Sequence, residues 1–215
     1  MSLTIVGKRT LKTALEQKAM VHPDKTFLIF EDLRGKAHSY TYQQFDRIVN
    51  RTANGLLQMG VKRGEKVNVH LTNCPEFLFF WFSVSKIGAV MVPTNPLSPG
   101  DELGYPLRHS ESVISVTQPD LIAAVQQASG NCPAMRNIIT TGSRDVASGV
   151  MPYHELIDGQ PDEIAAVSID PVDEAAILYT SGTTGLPKGV ACTHENIVFK
   201  GSSQLHAMFD GATLL

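Results

Sequence analysis

The sequence has few cysteines, little net charge and no long uninterrupted apolar run, and each shortage excludes a class of protein. Its three cysteines, Cys74, Cys132 and Cys192, lie far apart among 215 residues. That spacing gives neither a disulfide framework nor a zinc site, which favours a reducing compartment. The formal net charge is -3, with Lys and Arg spread along the chain, so there is no basic patch for nucleic acid.

The apolar segments are too short or too interrupted to cross a membrane. The longest, residues 77–92, contains Ser83, Ser85, Lys86 and Gly88. The first twenty residues lack the continuous apolar centre of a signal peptide. With 43% hydrophobic residues, the chain is long enough to bury a sizeable core. We therefore expect a cytoplasmic protein without a membrane span.

Hydrophobic periodicity predicts alternating strands and helices, which indicates the α/β class with a largely parallel sheet. A small β-hairpin is expected near the N-terminus, followed by a helix that Thr41 and Gln44 open as a capping box. Asn73 is predicted to cap the apolar helix that ends at Gly88. Pro106 predicts a short or kinked helix over residues 100–110. The predicted helices are 10–20, 41–59, 75–87, 119–129, 153–157 and 194–208. The predicted strands are 26–30, a second strand ending at residue 42, 67–71, 89–93, 113–117, 136–140, 175–179 and 190–192.

The residues typical of ligand chemistry are concentrated in one segment, AAILYTSGTTGLPKGVACTHEN, residues 175–196. Its loop holds three glycines, four hydroxyl side chains and one lysine. Glycines let backbone N–H groups approach an anion, hydroxyls donate to phosphate oxygens, and lysine supplies a mobile charge. The loop is not a Walker loop, because it joins two strands and lacks that spacing. A glycine-rich hairpin without a ligand remains the alternative at this point.

Residues 179–189 resemble the signature loop of the adenylate-forming superfamily, which includes acyl-CoA synthetases, luciferases and peptide-synthetase adenylation domains. Three further stretches resemble that family in the same order: SYTYQQF, SKIGAVMVPTNP and the Thr-His-x-Asn of residues 193–196. Within the family, NRTANGL and NCPEFLFFWFSVSKIGAVMVPTNP are most similar to acyl-CoA ligases of the crotonobetaine/carnitine type.

The resemblance implies ATP-dependent activation of a carboxylic acid as an acyl-adenylate, followed by thioester formation with coenzyme A. ATP, Mg²⁺ and coenzyme A would be its cofactors and substrates. Lys188 would stabilise the leaving pyrophosphate, and no residue is assigned to a metal. The residues expected to cradle the β- and γ-phosphates are Thr180, Ser181, Gly182, Thr183, Thr184 and Gly185.

The family's later motifs do not occur in residues 1–215, so we expect the N-terminal part of a large AMP-binding domain, inactive by itself. Such a part would expose apolar surface, and we expect it to self-associate, to cover that surface with its own C-terminal helix or to bury it in crystal contacts. The residues expected to take part are Ile197, Val198, Leu205 and Met208. The acid substrate is not indicated. Two alternatives remain: a non-catalytic nucleotide-binding or regulatory relative, and a peptide-synthetase adenylation domain.

Other conspicuous residues have simpler explanations. His194 is expected to pack or cap a helix rather than touch phosphate, and Cys192 to be an inert strand residue. The aromatic cluster of the apolar helix is expected to pack in the core rather than line an acyl pocket. Its members are Phe77, Phe79, Phe80, Trp81 and Phe82.

Overall fold

A computed structural model describes residues 8–142, 148–180 and 185–209, with the backbone alone for 202–209. The helices are α1 (Leu11–Val21), α2 (Tyr42–Gln58), α3 (Pro75–Lys86), α4 (Gly100–Ser110), α5 (Ile122–Ser129), α6 (Tyr153–Ile157) and α7 (His194–Phe209), with a 3₁₀ turn at Pro119–Leu121. The strands are β1 (Thr26–Glu31), β2 (Ala37–Thr41), β3 (Lys66–His70), β4 (Val90–Pro93), β5 (Ser112–Thr117), β6 (Asn137–Thr140), β7 (Val150–Pro152), β8 (Glu174–Thr180) and β9 (Lys188–Thr193).

The strands form two sheets, as the α/β prediction requires. β1 and β2 make the small antiparallel hairpin, and the other strands form a seven-stranded sheet in the order β7-β6-β5-β3-β4-β8-β9. Every pair in the large sheet is parallel except β8–β9. Strands β3, β4, β5 and β6 alternate with helices, which is how parallel neighbours are connected. The prediction of the fold class is confirmed.

Helices cover both faces of the large sheet. Phe45 of α2 and Phe80 of α3 lie in the larger core, whereas Leu107 of α4 lies in a second, smaller one. Ile138 and Ile139 are adjacent in β6 and belong to different cores, because successive strand residues point to opposite faces. Within the described residues, no helix is long and apolar enough to cross a membrane.

The start of α3 differs from its prediction. Cys74, not Asn73, is the N-cap, and its side chain makes no capping hydrogen bond. Pro75 occupies the first turn, where its missing N–H leaves one donor fewer to satisfy. Glu76 adds a negative charge beside the helix N-terminus. The local chemistry therefore stabilises this helix end without a side-chain cap.

Two other predictions needed correction. α4 is not shortened: it runs unbroken over Gly100–Ser110 with Pro106 inside it, and Pro106 and Leu107 are buried. Burial of this helix face offsets the hydrogen bond that Pro106 cannot donate. The segment predicted as a loop before α6 also contains β7, which pairs with β6.

Candidate phosphate-binding site

β8 and β9 form an antiparallel hairpin, and the predicted phosphate loop connects them. Thr180 pairs with Lys188 at the mouth of the loop, and Tyr179 pairs with Gly189 one step further in. Directly opposed residues in an antiparallel pair have Cα atoms about 4.5–5.5 Å apart. The lysine, eight positions along the chain, is thereby brought beside the first hydroxyl. Four predicted phosphate ligands lie outside the described residues: Ser181, Gly182, Thr183 and Thr184.

The described ends of the loop face solvent. Thr180, Gly185 and Lys188 are exposed. Lys188 makes no ion pair with any described residue. A Cβ atom built on Gly185 would meet nothing within 4 Å. The lysine thus has no ion-pair partner among the described residues and lies beside an open stretch of backbone, an arrangement that suits an incoming anion.

Packing explains the last glycine of the motif. A Cβ atom on Gly189 would lie 3.0 Å from Cγ2 of Ile177 and 3.3 Å from Cζ of Tyr179. The Tyr179 ring therefore lies across the backbone of Gly189, where a larger residue would push it away. Gly189 keeps the start of β9, and with it Lys188, close to β8.

A cavity of about 550 Å³ lies beside the loop, on the side of α4. Thr180, Leu186 and Pro187 contribute from the hairpin, and Thr94 and Asn95 from the end of β4. The remaining lining residues are Pro93, Ser98, Asp101, Glu102, Leu103, Tyr105, Pro106 and Tyr179. Grooves at the carboxyl ends of parallel strands are common ligand sites in α/β proteins.

Tyr179 connects the hairpin to α4. Its hydroxyl lies 2.8 Å from Nδ1 of His109 and 3.4 Å from the carbonyl oxygen of Pro106. The His109 ring stacks on Tyr105, with centroids 5.3 Å apart. Burial raises the pKa of Tyr179, so the phenol stays protonated at neutral pH. Sequence reasoning missed this cluster, because seventy positions separate His109 from Tyr179.

The Thr-His-x-Asn stretch forms the start of α7, as its resemblance implied. The Thr193 N–H donates to Oδ1 of Asn196 at 3.1 Å, and the Asn196 N–H donates to Oγ1 of Thr193 at 3.2 Å. This reciprocal pair satisfies donors that the helix start would otherwise leave free. It also fixes the direction in which the chain leaves β9.

His194 packs inside the protein rather than facing the loop. It is fully buried, and its Nδ1 accepts a 3.3 Å hydrogen bond from the Leu11 N–H at the start of α1. Burial lowers the pKa of His194, against a smaller raising effect of the Asp173 carboxylate. A neutral His194 therefore links α1 to α7, as the packing interpretation predicted.

The aromatic residues of α3 lie in the core or against it. Phe79 and Phe80 are buried, and Phe77, Trp81 and Phe82 are partly buried and pack against the larger core. Phe77 also lines a second groove, of about 1170 Å³, which the β1–β2 turn lines as well. Cys192, half-buried on β9, donates a weak 3.9 Å hydrogen bond to the Val190 carbonyl oxygen.

The chain belongs to the AMP-binding enzyme family, which matches residues 15–213. The chain is 36% identical over 202 residues to a crotonobetaine/carnitine–CoA ligase of Salmonella arizonae, and 37% identical over 202 residues to that of Escherichia coli O127:H6. These matches cover 93% of this chain and 39% of each relative, so the chain spans about two fifths of their length.

Solved structures show the same fold. A crystal structure of an anthranilate CoA ligase in complex with anthranoyl-AMP matches with a TM-score of 0.82 and 26% identity, over 97% of this chain and 38% of that one. Acetoacetyl-CoA synthetase from Streptomyces lividans matches with a TM-score of 0.85, 93% of this chain and 32% of that one. Its identity is 21%, so it supports the fold alone.

Proposed function

We propose that this chain supplies the triphosphate-binding part of an ATP-dependent acid–thiol ligase. The complete reaction joins a small carboxylic acid to AMP, releases pyrophosphate, and then transfers the acyl group to the sulfur of coenzyme A. The observation that carries the proposal is the register that pairs Thr180 with Lys188, both exposed, at the two ends of the Gly/Ser/Thr segment. Membership of the AMP-binding family and the CoA-ligase relatives support it.

The loop would bind the β- and γ-phosphates through backbone N–H groups and hydroxyls. We assign this role to Thr180, Ser181, Gly182, Thr183, Thr184 and Gly185. Lys188 would neutralise charge that accumulates on pyrophosphate as it leaves, and charge compensation of this kind lowers the barrier directly. The nucleophile is a carboxylate that is already ionised, so the reaction requires no general base.

The described residues limit what this chain contributes to metal binding. They contain no group of three or more His, Cys, Asp and Glu side chains that could hold a metal ion. We assign no residue here to Mg²⁺, which would enter bound to the phosphates of ATP and reduce their charge. ATP and coenzyme A are abundant in the cytoplasm, where we place the protein, in agreement with its unpaired cysteines.

The names of the relatives suggest the first acids to test. Crotonobetaine and carnitine are small acids with a quaternary ammonium group, and we propose a small-molecule acid of this size for the complete protein. Pyrophosphate release with a panel of such acids, followed by detection of the CoA thioester, tests the reaction. A polypeptide as long as the relatives should be active, whereas residues 1–215 alone should give background release.

Lys188→Ala, made in a polypeptide as long as the relatives, tests the site itself. A hydrogen bond to a charged group contributes about 1.5–3 kcal/mol, so removing it from the transition state should slow adenylation roughly ten- to a hundredfold. The exposed side chain contributes little packing, so the melting temperature should stay the same. Lys18→Ala, an exposed lysine on α1, is the matched control and should leave ATP–pyrophosphate exchange unchanged. Equal exchange rates for Lys188→Ala and wild type would remove Lys188 from the site.

A further inference from the structure

The end of β8 is attached to the rest of the sheet less directly than its beginning. β8 aligns with β4 at Met91 and Ala176, close to the start of β8. Its later residues pair with β9, which is an exposed strand at the edge of the sheet. The phosphate loop begins at the end of β8. The position of Thr180, at this end of β8, therefore depends on contacts that hold the strand against neighbouring elements such as α4.

Tyr179 provides such a contact through both parts of its side chain. The ring lies 3.3 Å from the Cβ position of Gly189, so it packs across the start of β9. The hydroxyl reaches Nδ1 of His109 at 2.8 Å and the Pro106 carbonyl at 3.4 Å, both on α4. One side chain therefore links the two strands that hold the loop to the helix behind them.

The partner on α4 is itself held in place. Tyr105, one helical turn before His109, stacks on the imidazole at 5.3 Å with planes 26° apart. The Tyr105 ring also meets Tyr179 edge-on, with centroids 6.2 Å apart and planes at 81°. Aromatic contacts of these geometries are favourable and directional. The imidazole thus presents Nδ1 to the Tyr179 hydroxyl in a fixed orientation.

We propose that the Tyr179–His109 hydrogen bond positions the described ends of the phosphate loop, Thr180 and Lys188, for nucleotide binding, which makes Tyr179 and His109 positioning residues. This inference rests on the proposed function, because it assumes that the loop binds phosphate. Losing the hydrogen bond leaves the strands paired but lets the end of β8 move relative to α4. Triphosphate affinity then falls, because binding must first restore the arrangement.

Calorimetric titration of the 215-residue chain with ATP and with inorganic tripolyphosphate tests the inference. Tyr179→Phe keeps the ring over Gly189 and removes only the hydroxyl. A neutral hydrogen bond of ordinary strength predicts a roughly three- to tenfold loss of affinity for both ligands. His109→Leu should give a similar loss, and the double variant should lose no more than either single variant, because all three lack the same bond. His109→Asn, whose side-chain amide takes the place of Nδ1, should lose less affinity than His109→Leu.

Tyr153→Phe is the matched control. Its hydroxyl makes a 2.7 Å hydrogen bond to Oγ1 of Thr52 in the larger core, away from the loop. This variant should lower the melting temperature and leave the affinity for both ligands unchanged. Tyr179→Phe should lower the affinity and leave the melting temperature unchanged. A Tyr179→Phe chain that binds both ligands like wild type would overturn the inference while the proposed function stands.

A second measurement separates the two hypotheses if wild type binds neither ligand. Amide hydrogen exchange at residues 186–191 should be faster in Tyr179→Phe than in wild type, because the restraint on the hairpin end is lost. If wild type binds neither ligand, the proposed function fails, but faster exchange in Tyr179→Phe still supports the restraint of the hairpin end by the hydrogen bond. Unchanged exchange at these amides would refute the restraint itself.

Discussion

The buried ammonium of Lys86 allows a sharp test of how the helical layer is stabilised. Its side chain is 1% exposed, and Nζ lies 2.7 Å from Oδ1 of Asp46 and 2.7 Å from Oδ1 of Asn50. The Glu16 carboxylate is 3.3 Å away, but its side chain is 37% exposed. The ammonium thus donates hydrogen bonds to two acceptors on α2 and forms a longer ion pair with one carboxylate on α1. Asp46 supplies the main counter-charge, because water screens Glu16 more strongly.

Asp46→Ala should be the more damaging change. It leaves a buried cation facing an amide oxygen and a screened carboxylate, and breaking a buried pair typically costs 3–5 kcal/mol. We expect a loss of about 3 kcal/mol in unfolding free energy, at the low end because Asn50 and Glu16 remain. Lys86→Met removes the charge instead. Asp46 then keeps its 3.1 Å hydrogen bond from Nδ2 of Asn50, so a smaller cost of about 1–2 kcal/mol is expected.

Urea unfolding followed by far-ultraviolet circular dichroism measures these costs, provided that the transition is two-state. The double variant Asp46→Ala/Lys86→Met should cost clearly less than the sum of the two, because the second change removes the orphaned charge. Arg136→Ala is the control. It breaks a 2.6 Å pair with Glu65 whose side chains are 39% and 25% exposed, and should cost less than about 1 kcal/mol. Additive costs, or an Asp46→Ala cost no larger than that of Arg136→Ala, would refute the reasoning.

Two further predictions concern packing and association. In Gly55→Ala the new Cβ would lie 2.4 Å from the Leu156 carbonyl oxygen, so a net loss of about 1–2 kcal/mol in urea unfolding is expected despite better helix propensity. Gly104→Ala, whose Cβ meets its nearest atom at 3.7 Å, should raise the free energy of unfolding by about 0.5–1 kcal/mol. Equal free energies of unfolding for Gly55→Ala and Gly104→Ala would contradict this prediction. Leu178 and Val190 face each other across β8–β9, 38% and 48% exposed, so the chain should self-associate in light scattering, and Thr at both positions should reduce this. A chain that is monomeric at every concentration would contradict the prediction of self-association.

The sequence determined the features that depend on neighbours within a few positions. The capping box of Thr41 and Gln44 is present as predicted, with both reciprocal hydrogen bonds. The short helix Tyr153–Ile157 has the predicted bounds, and the chain turns left-handed after α2 at a glycine, Gly60, with φ of 81°. The signature loop and the family were also recognisable. Local hydrogen bonds, steric limits and side-chain periodicity act through the adjacent chain, so the sequence displays them directly.

Only the tertiary structure decided which elements are neighbours. The strand order places β8 beside β4, and nothing in either segment indicates this. The same holds for the ion pair of Lys86 with Asp46, forty positions away, and for the contact of Tyr179 with His109. Pro106 inside α4 shows tertiary burial overriding a local preference. Contacts between distant residues exist only once the layers have packed, because their energies depend on burial and mutual orientation that no local pattern records.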